Sequence, residues 1–363
     1  MTDKDKRPNP QRRWLRFSLR TLLIVLTVVC VWIGWYLYRV EQQRSVVEWV
    51  LENGGTVHYD YEFDNQQFIP NSQPSAPKWL IDMLGIDYFS SVEEVDGSSA
   101  QFSDVTPLAT LKNLKYLDLT DTQVSDATPL QGLAKLKSLS LSKTRVSDVT
   151  PLSGLTNLEE LLLDSTRFSD LTPLVGLTEL ESLSLSNTRV SDVTPLAELT
   201  KLAGLYLDGT QVSDVTPLEG LTNLEELLVS STQVGEASSL AGLTRLVSLS
   251  LANTQVSDVT PLAGLTKLER LYLDPTPVSD ITPLARLTNL RMLALSYTQV
   301  SDVAPLAGLT NLERLWLNDT QVVDASPLAV LTKLERLAVY RTRVNEEQVK
   351  KLQQSLPMCV IRH

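Results

Sequence analysis

The sequence predicts an α/β repeat solenoid. This is a right-handed curved coil with a parallel β-sheet on its concave side, short 3-10 or helical turns on its convex side, and one transmembrane helix in front. Three observations predict it. Eleven threonines (Thr122, Thr144, Thr166, Thr188, Thr210, Thr232, Thr254, Thr276, Thr298, Thr320 and Thr342) recur every 22 residues without insertion. Ten prolines, from Pro107 to Pro327, share that spacing. Thr21 to Tyr38 runs 18 residues without a charge. A fixed period of this length marks one structural unit stacked many times. Such stacks present extended surfaces for binding rather than enclosed pockets.

Taken in order, residues 1–20 form a basic tail and residues 21–38 the span. As a helix the span measures about 27 Å, close to the hydrocarbon thickness of a bilayer. Trp32, Trp35, Tyr36 and Tyr38 gather at its far end like an interfacial belt. A cleaved signal peptide needs small residues at its cleavage site. This chain has no alanine before Ala76, and Val29 before Cys30 is bulky for a lipoprotein signal. An uncleaved anchor fits better. Lys4, Lys6, Arg7, Arg12, Arg13, Arg16 and Arg20 precede the span, whereas only Arg39 and Arg44 follow closely. The basic side stays in the cytoplasm, which puts the repeats outside it.

Residues 39–91 read as a connector. Val40 to Asn53 continues the helix, Gly54-Gly55 ends it, and Thr56 to Phe63 alternates as a strand does. Asn65 to Pro77 is a proline-containing loop. Pro77 to Leu84 begins with a helix-compatible proline and is expected to cap the first coil by burying Trp79 and Leu80.

Residues 92–344 hold about eleven regular repeats and one degenerate repeat. In Leu268 to Leu287, Leu268, Leu271 and Leu273 mark a strand with inward side chains. Val278, Ile281, Leu284 and Leu287 complete the interior, which neighbouring coils must bury together. Thr282-Pro283 is expected to supply a cap hydroxyl and a proline at the first helical position. Val92 to Phe102 keeps the phase but has Gly97 and Ala100 in place of Leu and Thr, so it reads as a worn first coil. Gly235 to Leu240 loses the Asp and Pro of its neighbours and reads as drift. Asn345 caps a closing helix to Leu356 within residues 345–363.

The pattern L-x-x-L-x-L-x-x-T-x-V-S-D-x-T-P-L, as in Leu155 to Leu174, resembles the 22-residue internalin-type subclass of leucine-rich repeats. That resemblance covers residues 92–344 and implies the curved solenoid described above. Phe17 to Leu23 also resembles the N-termini of membrane-anchored bacterial repeat proteins. Such folds host many functions, so the ligand is not implied.

Charge and composition narrow the function. Of the net charge of −11, residues 1–45 carry +6, leaving −17 on the remainder. An acidic ectodomain argues against nucleic acid as a partner. Cys30 and Cys359 are too far apart in context to pair readily, and no disulfide framework is expected. His58 and His363 both lie outside the repeats, and no metal-ligand spacing, phosphate loop or nucleophile motif occurs. No cofactor, metal or catalytic residue is therefore expected. The threonines read as structural. The aspartates from Asp104 to Asp324 read as caps of backbone N–H groups, in preference to a row of calcium ligands.

Outward slots of the concave strands carry the binding candidates: Tyr206, Asp208, Arg270, Tyr272, Asp274, Arg314, Trp316, Asn318, Arg336 and Tyr340. Arg and aromatics gather toward the C-terminal half, the side-chain types of which binding hot spots are made. The blander explanation is that strands favour aromatics. Together these features predict a membrane-anchored, non-enzymatic protein that binds a protein or a cell-envelope glycan in the periplasm or at the cell surface. The alternatives are a structural spacer or self-association module without a ligand, and a glycosidase built on paired acids.

Overall fold

A computed structural model describes residues 19–64, 67–69 and 72–363. The basic tail expected over residues 1–20 falls almost wholly outside them. The chain opens with α1 (Leu19–Glu52), an unbroken helix of 34 residues. Its first part is exposed throughout and is long and apolar enough to cross a membrane. Its last part turns Val46, Val47 and Val50 into the hydrophobic core.

The strand expected over Thr56–Phe63 stops early, as β1 (Thr56–Tyr59), and a 3-10 turn follows at Asp60–Glu62. β2 (Phe63–Asp64) and β3 (Gln67–Phe68) then form a small hairpin. α2 (Lys78–Leu84) does form, but it does not cap the core: Trp79 is 65% exposed. That expectation is corrected. The cap is the end of α1, because a helix already delivered to the open end of the stack covers it first.

The repeats begin with β4 (Val92–Asp96). They continue with β5 (Tyr116–Asp118), β6 (Ser138–Ser140), β7 (Glu160–Leu162), β8 (Ser182–Ser184) and β9 (Gly204–Tyr206). Then come β10 (Glu226–Leu228), β11 (Ser248–Ser250), β12 (Arg270–Tyr272), β13 (Met292–Ala294), β14 (Arg314–Trp316) and β15 (Arg336–Ala338). All twelve pair in parallel, each residue facing the one 22 positions on, as Arg270 faces Met292. β1 adds antiparallel to β4 at one edge. After α3 (Glu346–Ser355), β16 (Val360–Arg362) adds parallel to β15 at the other, completing a 14-stranded sheet.

The inward leucines and valines are almost all fully buried and form one continuous core along the stack. Each threonine hydroxyl donates to the carbonyl three residues earlier, at 2.5–2.7 Å from Thr122 through Thr342. The buried hydroxyl thus closes the turn that leaves each strand. Except at Pro275, the residue before it takes a left-handed conformation, even where it is Lys143, Tyr297 or Arg341.

On the convex side every repeat makes a 3-10 turn such as Thr282–Arg286. The cap here differs from expectation. The threonine hydroxyl makes no cap; instead Asp280 Oδ1 accepts the Thr282 N–H at 2.8 Å, and Pro283 sits second in the turn. The same bond recurs at all ten aspartates from Asp104 to Asp324, an Asx-type cap. At nine of them, Asp280 included, hydrogen bonds from the residue two places on hold the carboxylate below the ordinary aspartate range.

The first coil is not worn but shaped. A Cβ on Gly97 would fall 2.1 Å from the Phe102 ring. That ring stacks on Trp49 of α1, with centroids 4.7 Å apart. Gly97 makes room for the joint between helix and solenoid. At the far end, Asn345 accepts from the Gln348 N–H at 2.9 Å and caps α3, which buries Val349 and Leu352.

Candidate functional site

Concave slots come in columns, because strand register repeats every 22 residues. One column runs Gly204, Glu226, Ser248, Arg270, Met292, Arg314, Arg336. Its neighbour runs Tyr206, Leu228, Ser250, Tyr272, Ala294, Trp316, Ala338. The candidates therefore share one face. Their immediate neighbours divide them into two groups.

In the middle of the sheet the candidates are occupied by their own chain. Arg270 Nη2 donates to Glu226 Oε1 at 2.8 Å, reaching two coils back, and Arg270 Nε donates to Ser248 Oγ at 3.3 Å. Tyr206 O–H donates to the other Glu226 oxygen at 2.7 Å. Burial and this bond push the Tyr206 hydroxyl up to about 12. Asp208 Oδ1 accepts the Ser230 N–H at 2.8 Å. Glu226 organises this group, and the sequence reading missed it. Its signal was present: Ser248 alone separates Glu226 from Arg270 in the column.

Asp274 stands apart. Burial raises its carboxyl above the ordinary aspartate value. Pro275 follows it and has no N–H. In the other coils the residue at that place donates to the next coil, as Asn253 does to the Asp274 carbonyl and Tyr297 to the Asn318 carbonyl. The ladder of turn bonds is interrupted at Pro275.

The second group converges at the C-terminal end. Trp316, Asn318, Arg336 and Tyr340 line a cleft of about 750 Å³ together with Tyr297, Arg362 and His363. Arg314 lies next to it on β14, and its Nε is buried without a hydrogen-bond partner. Asn318 Oδ1 accepts the Tyr340 N–H at 3.0 Å, which ties the outer coils together. Arg341 stacks over the Tyr340 ring at 5.6 Å and pairs with Asp319 at 3.5 Å. Arg362 and His363 were not anticipated, because β16 lies 24 residues after β15 and leaves the repeat register. The cleft thus offers an indole face, a phenol and free guanidinium groups. That set suits flat or sugar-like surfaces and anionic groups.

Tyr116 also faces outward, but Phe63 of the hairpin stacks on it at 5.7 Å. Among the described residues no group of three or more His, Cys, Asp or Glu side chains could hold a metal ion.

Comparisons with known proteins agree with this architecture. A family model for leucine-rich repeats, in two copies, matches residues 134–176, 156–198, 244–286 and 288–330. A crystal structure of an internalin, InlF, from Listeria monocytogenes is 28% identical, with a TM-score of 0.67 over 78% of this chain and 92% of that one. A leucine-rich-repeat protein of Leptospira interrogans is 23% identical, with a TM-score of 0.72 over 77% of this chain and 74% of that one. The plant peptide hormone receptor RGFR1, solved in complex with RGF2, is 20% identical, with a TM-score of 0.62 over 71% of this chain and 45% of that one. No curated protein matches. The family match, the InlF likeness and the 22-residue register together show that the chain is similar to internalin-type leucine-rich-repeat proteins.

Proposed function

We propose that the chain is a single-span membrane protein whose repeats lie outside the cytoplasm and bind a protein or envelope glycan without catalysis. The anchor is residues 21–38, the tail before it is cytoplasmic, residues 39–91 join it to the repeats at 92–344, and residues 345–363 close the stack. Three features support the anchor. The first part of α1 is apolar and wholly exposed. Basic residues crowd its front. The helix also runs without a break into the core. A cleavage site near Tyr38 would have to fall inside it.

One observation carries the binding reading. Four of the ten candidates meet in one cleft with Arg362, while Arg314 beside them keeps a buried, unpartnered Nε. A buried donor without an acceptor is costly, and a ligand carboxylate, phosphate or sugar hydroxyl would relieve it. The ligand site is therefore the C-terminal end, with Arg314, Trp316, Asn318, Arg336 and Tyr340 as its contacts. An open curved sheet excludes water poorly, which suits binding rather than hydrolysis. The complex of RGFR1 with RGF2 shows that a solenoid of this kind can hold a peptide.

A photo-crosslinker at Ala338 in intact cells tests the site. It should trap one product that disappears when Trp316 and Arg336 are replaced by alanine. A product unchanged by those replacements refutes the site. The middle of the sheet supports the spacer reading for that part only, since Glu226 already satisfies Arg270 and Tyr206.

A further inference from the structure

The docked half of α1 sets how the solenoid meets a membrane. From Tyr36 to Asn53 the helix covers about 25 Å. Were it parallel to the stacking axis, with strands about 4.8 Å apart, it would cross roughly five coils. It touches one. Tyr36 O–H donates to the Tyr88 carbonyl. Gln43 donates to Asp87 Oδ1 and to the Ser90 carbonyl, both at 2.9 Å, and accepts the Val92 N–H at 3.3 Å. The Asn53 carbonyl accepts the Gln101 N–H at 3.1 Å. Arg44 donates to the Leu84 carbonyl at 3.0 Å and Trp49 stacks on Phe102, so these partners lie between residues 84 and 102, none beyond the first coil.

Those contacts also give a direction. Gln43 sits where β4 begins, and Asn53 sits just past where β4 ends. α1 runs beside β4, in the same sense, across the open end of the stack. Its exposed segment therefore leaves past the N-terminal ends of the strands. There Trp35, Tyr36 and Arg39 share a cavity of about 710 Å³ with Lys112 and Asn113, which belong to the turn before β5.

We propose that the solenoid lies along the bilayer surface, with the flank of turns that precede the strands facing the lipid headgroups. This rests on α1 being a membrane anchor. A helix that spans a bilayer stands within about 20° of the normal on average, so a stack perpendicular to it lies near the membrane plane. One row of charges on this flank fits an anionic surface. The position three residues before each strand holds five bases (Lys135, Lys201, Arg245, Lys267 and Lys333) and five asparagines, with Glu179 the one acid. All five bases are exposed. Glu179 is paired with Lys201; the adjoining row holds seven acids and three bases, of which Glu93, Glu159, Glu225, Glu269 and Glu313 are paired with Lys115, Lys137, Arg245 and Arg291. The aspartate ladder occupies the turns that leave the strands, on the flank away from the lipid. Basic groups near an anionic leaflet are attracted and acidic ones repelled. In this posture the concave sheet opens sideways along the membrane, so its ligand is one held close to the same surface.

The test uses the full chain in phosphatidylcholine–phosphatidylglycerol vesicles carrying a headgroup quencher. Fluorophores are placed singly at positions 135, 267 and 333 on the basic flank and at 126, 258 and 324 on the aspartate flank. Quenching should be several-fold stronger on the basic flank and should not decline from 135 to 333. Equal quenching on both flanks, or a steady decline along the chain, overturns the proposal. Vesicle flotation is read first. A chain that does not float with the vesicles overturns the anchor and this inference with it, whereas one that floats without flank contrast overturns the posture alone.

Discussion

The middle of the concave sheet and its C-terminal end are built from the same side-chain types, yet only one of them keeps its groups free. At the middle, Arg270 has Glu226 two coils away across a serine. At the end, Arg314 lies between Met292 and Arg336, with no acid within two coils of it in its column. On β6 to β8 the pattern is more complete: Ser142, Ser184 and the Ser186 N–H all donate to Asp164. Composition alone therefore does not mark a binding surface. In a stack with strict register, the neighbour one or two periods away decides whether a charge is spent internally or left for a partner.

The strongest way to break this comparison is to exchange the two regions. Trp316→Ala with Arg336→Ala should lower crosslinking at Ala338 at least about tenfold, the scale of paired hot spots. Arg270→Ala with Tyr272→Ala should change it less than about twofold, as near-neutral interface positions do. The reverse result would put the site in the middle.

Pro275→Asn should come next in size. Asparagine accepts the left-handed turn that Asn187 and Asn253 adopt and restores the missing donor to the next coil. Denaturant unfolding should show a gain of about 1 kcal/mol, the worth of one hydrogen bond. A loss would mean that the proline turn is itself a favourable arrangement.

Glu226→Gln should release Arg270 and return the Tyr206 titration from about 12 toward its ordinary value of 10.0, visible by ultraviolet absorbance. Both members of the Arg270–Glu226 pair are more than a third exposed, so the stability loss should stay below about 1 kcal/mol. An unmoved titration would show that burial, rather than the carboxylate, governs Tyr206.

The aspartate caps run through both regions and provide a control. At Asp126, Asp170 and Asp280 the folded values lie below the ordinary aspartate value of about 4. Their contribution is intact above that value and is lost as pH falls through the lowered ones. Acid should loosen hydrogen-exchange protection equally at Leu174 and Leu284, in the convex 3-10 turns that Asp170 and Asp280 cap. A clear inequality would reveal a second titrating contribution in one half.

The coil, its core and its ten caps were legible in the sequence because the chemical period equals the structural one. Four residues of the cleft were legible for the same reason: slots in register must share a face. What escaped lies where the period fails or where a contact skips a period. Glu226 acts across Ser248, beyond the nearest neighbour. Arg362 and His363 reach the cleft on a strand that α3 shifts out of phase. Gly97 read as wear because the ring it accommodates, Phe102, is matched to Trp49 from a helix outside the repeats. Lys143, Tyr297 and Arg341 adopt a backbone their types disfavour, because stacking on both sides imposes it.

Since the lid on the first coil is the tail end of α1, release of the repeats and their unfolding are linked by where a protease cuts. Cleavage just before Val40 would free the repeats with Val46, Val47 and Val50 still seated. A cut at Ser91 would strip Val95, Phe102 and Leu114 of their cover, and the released fragments should aggregate end to end.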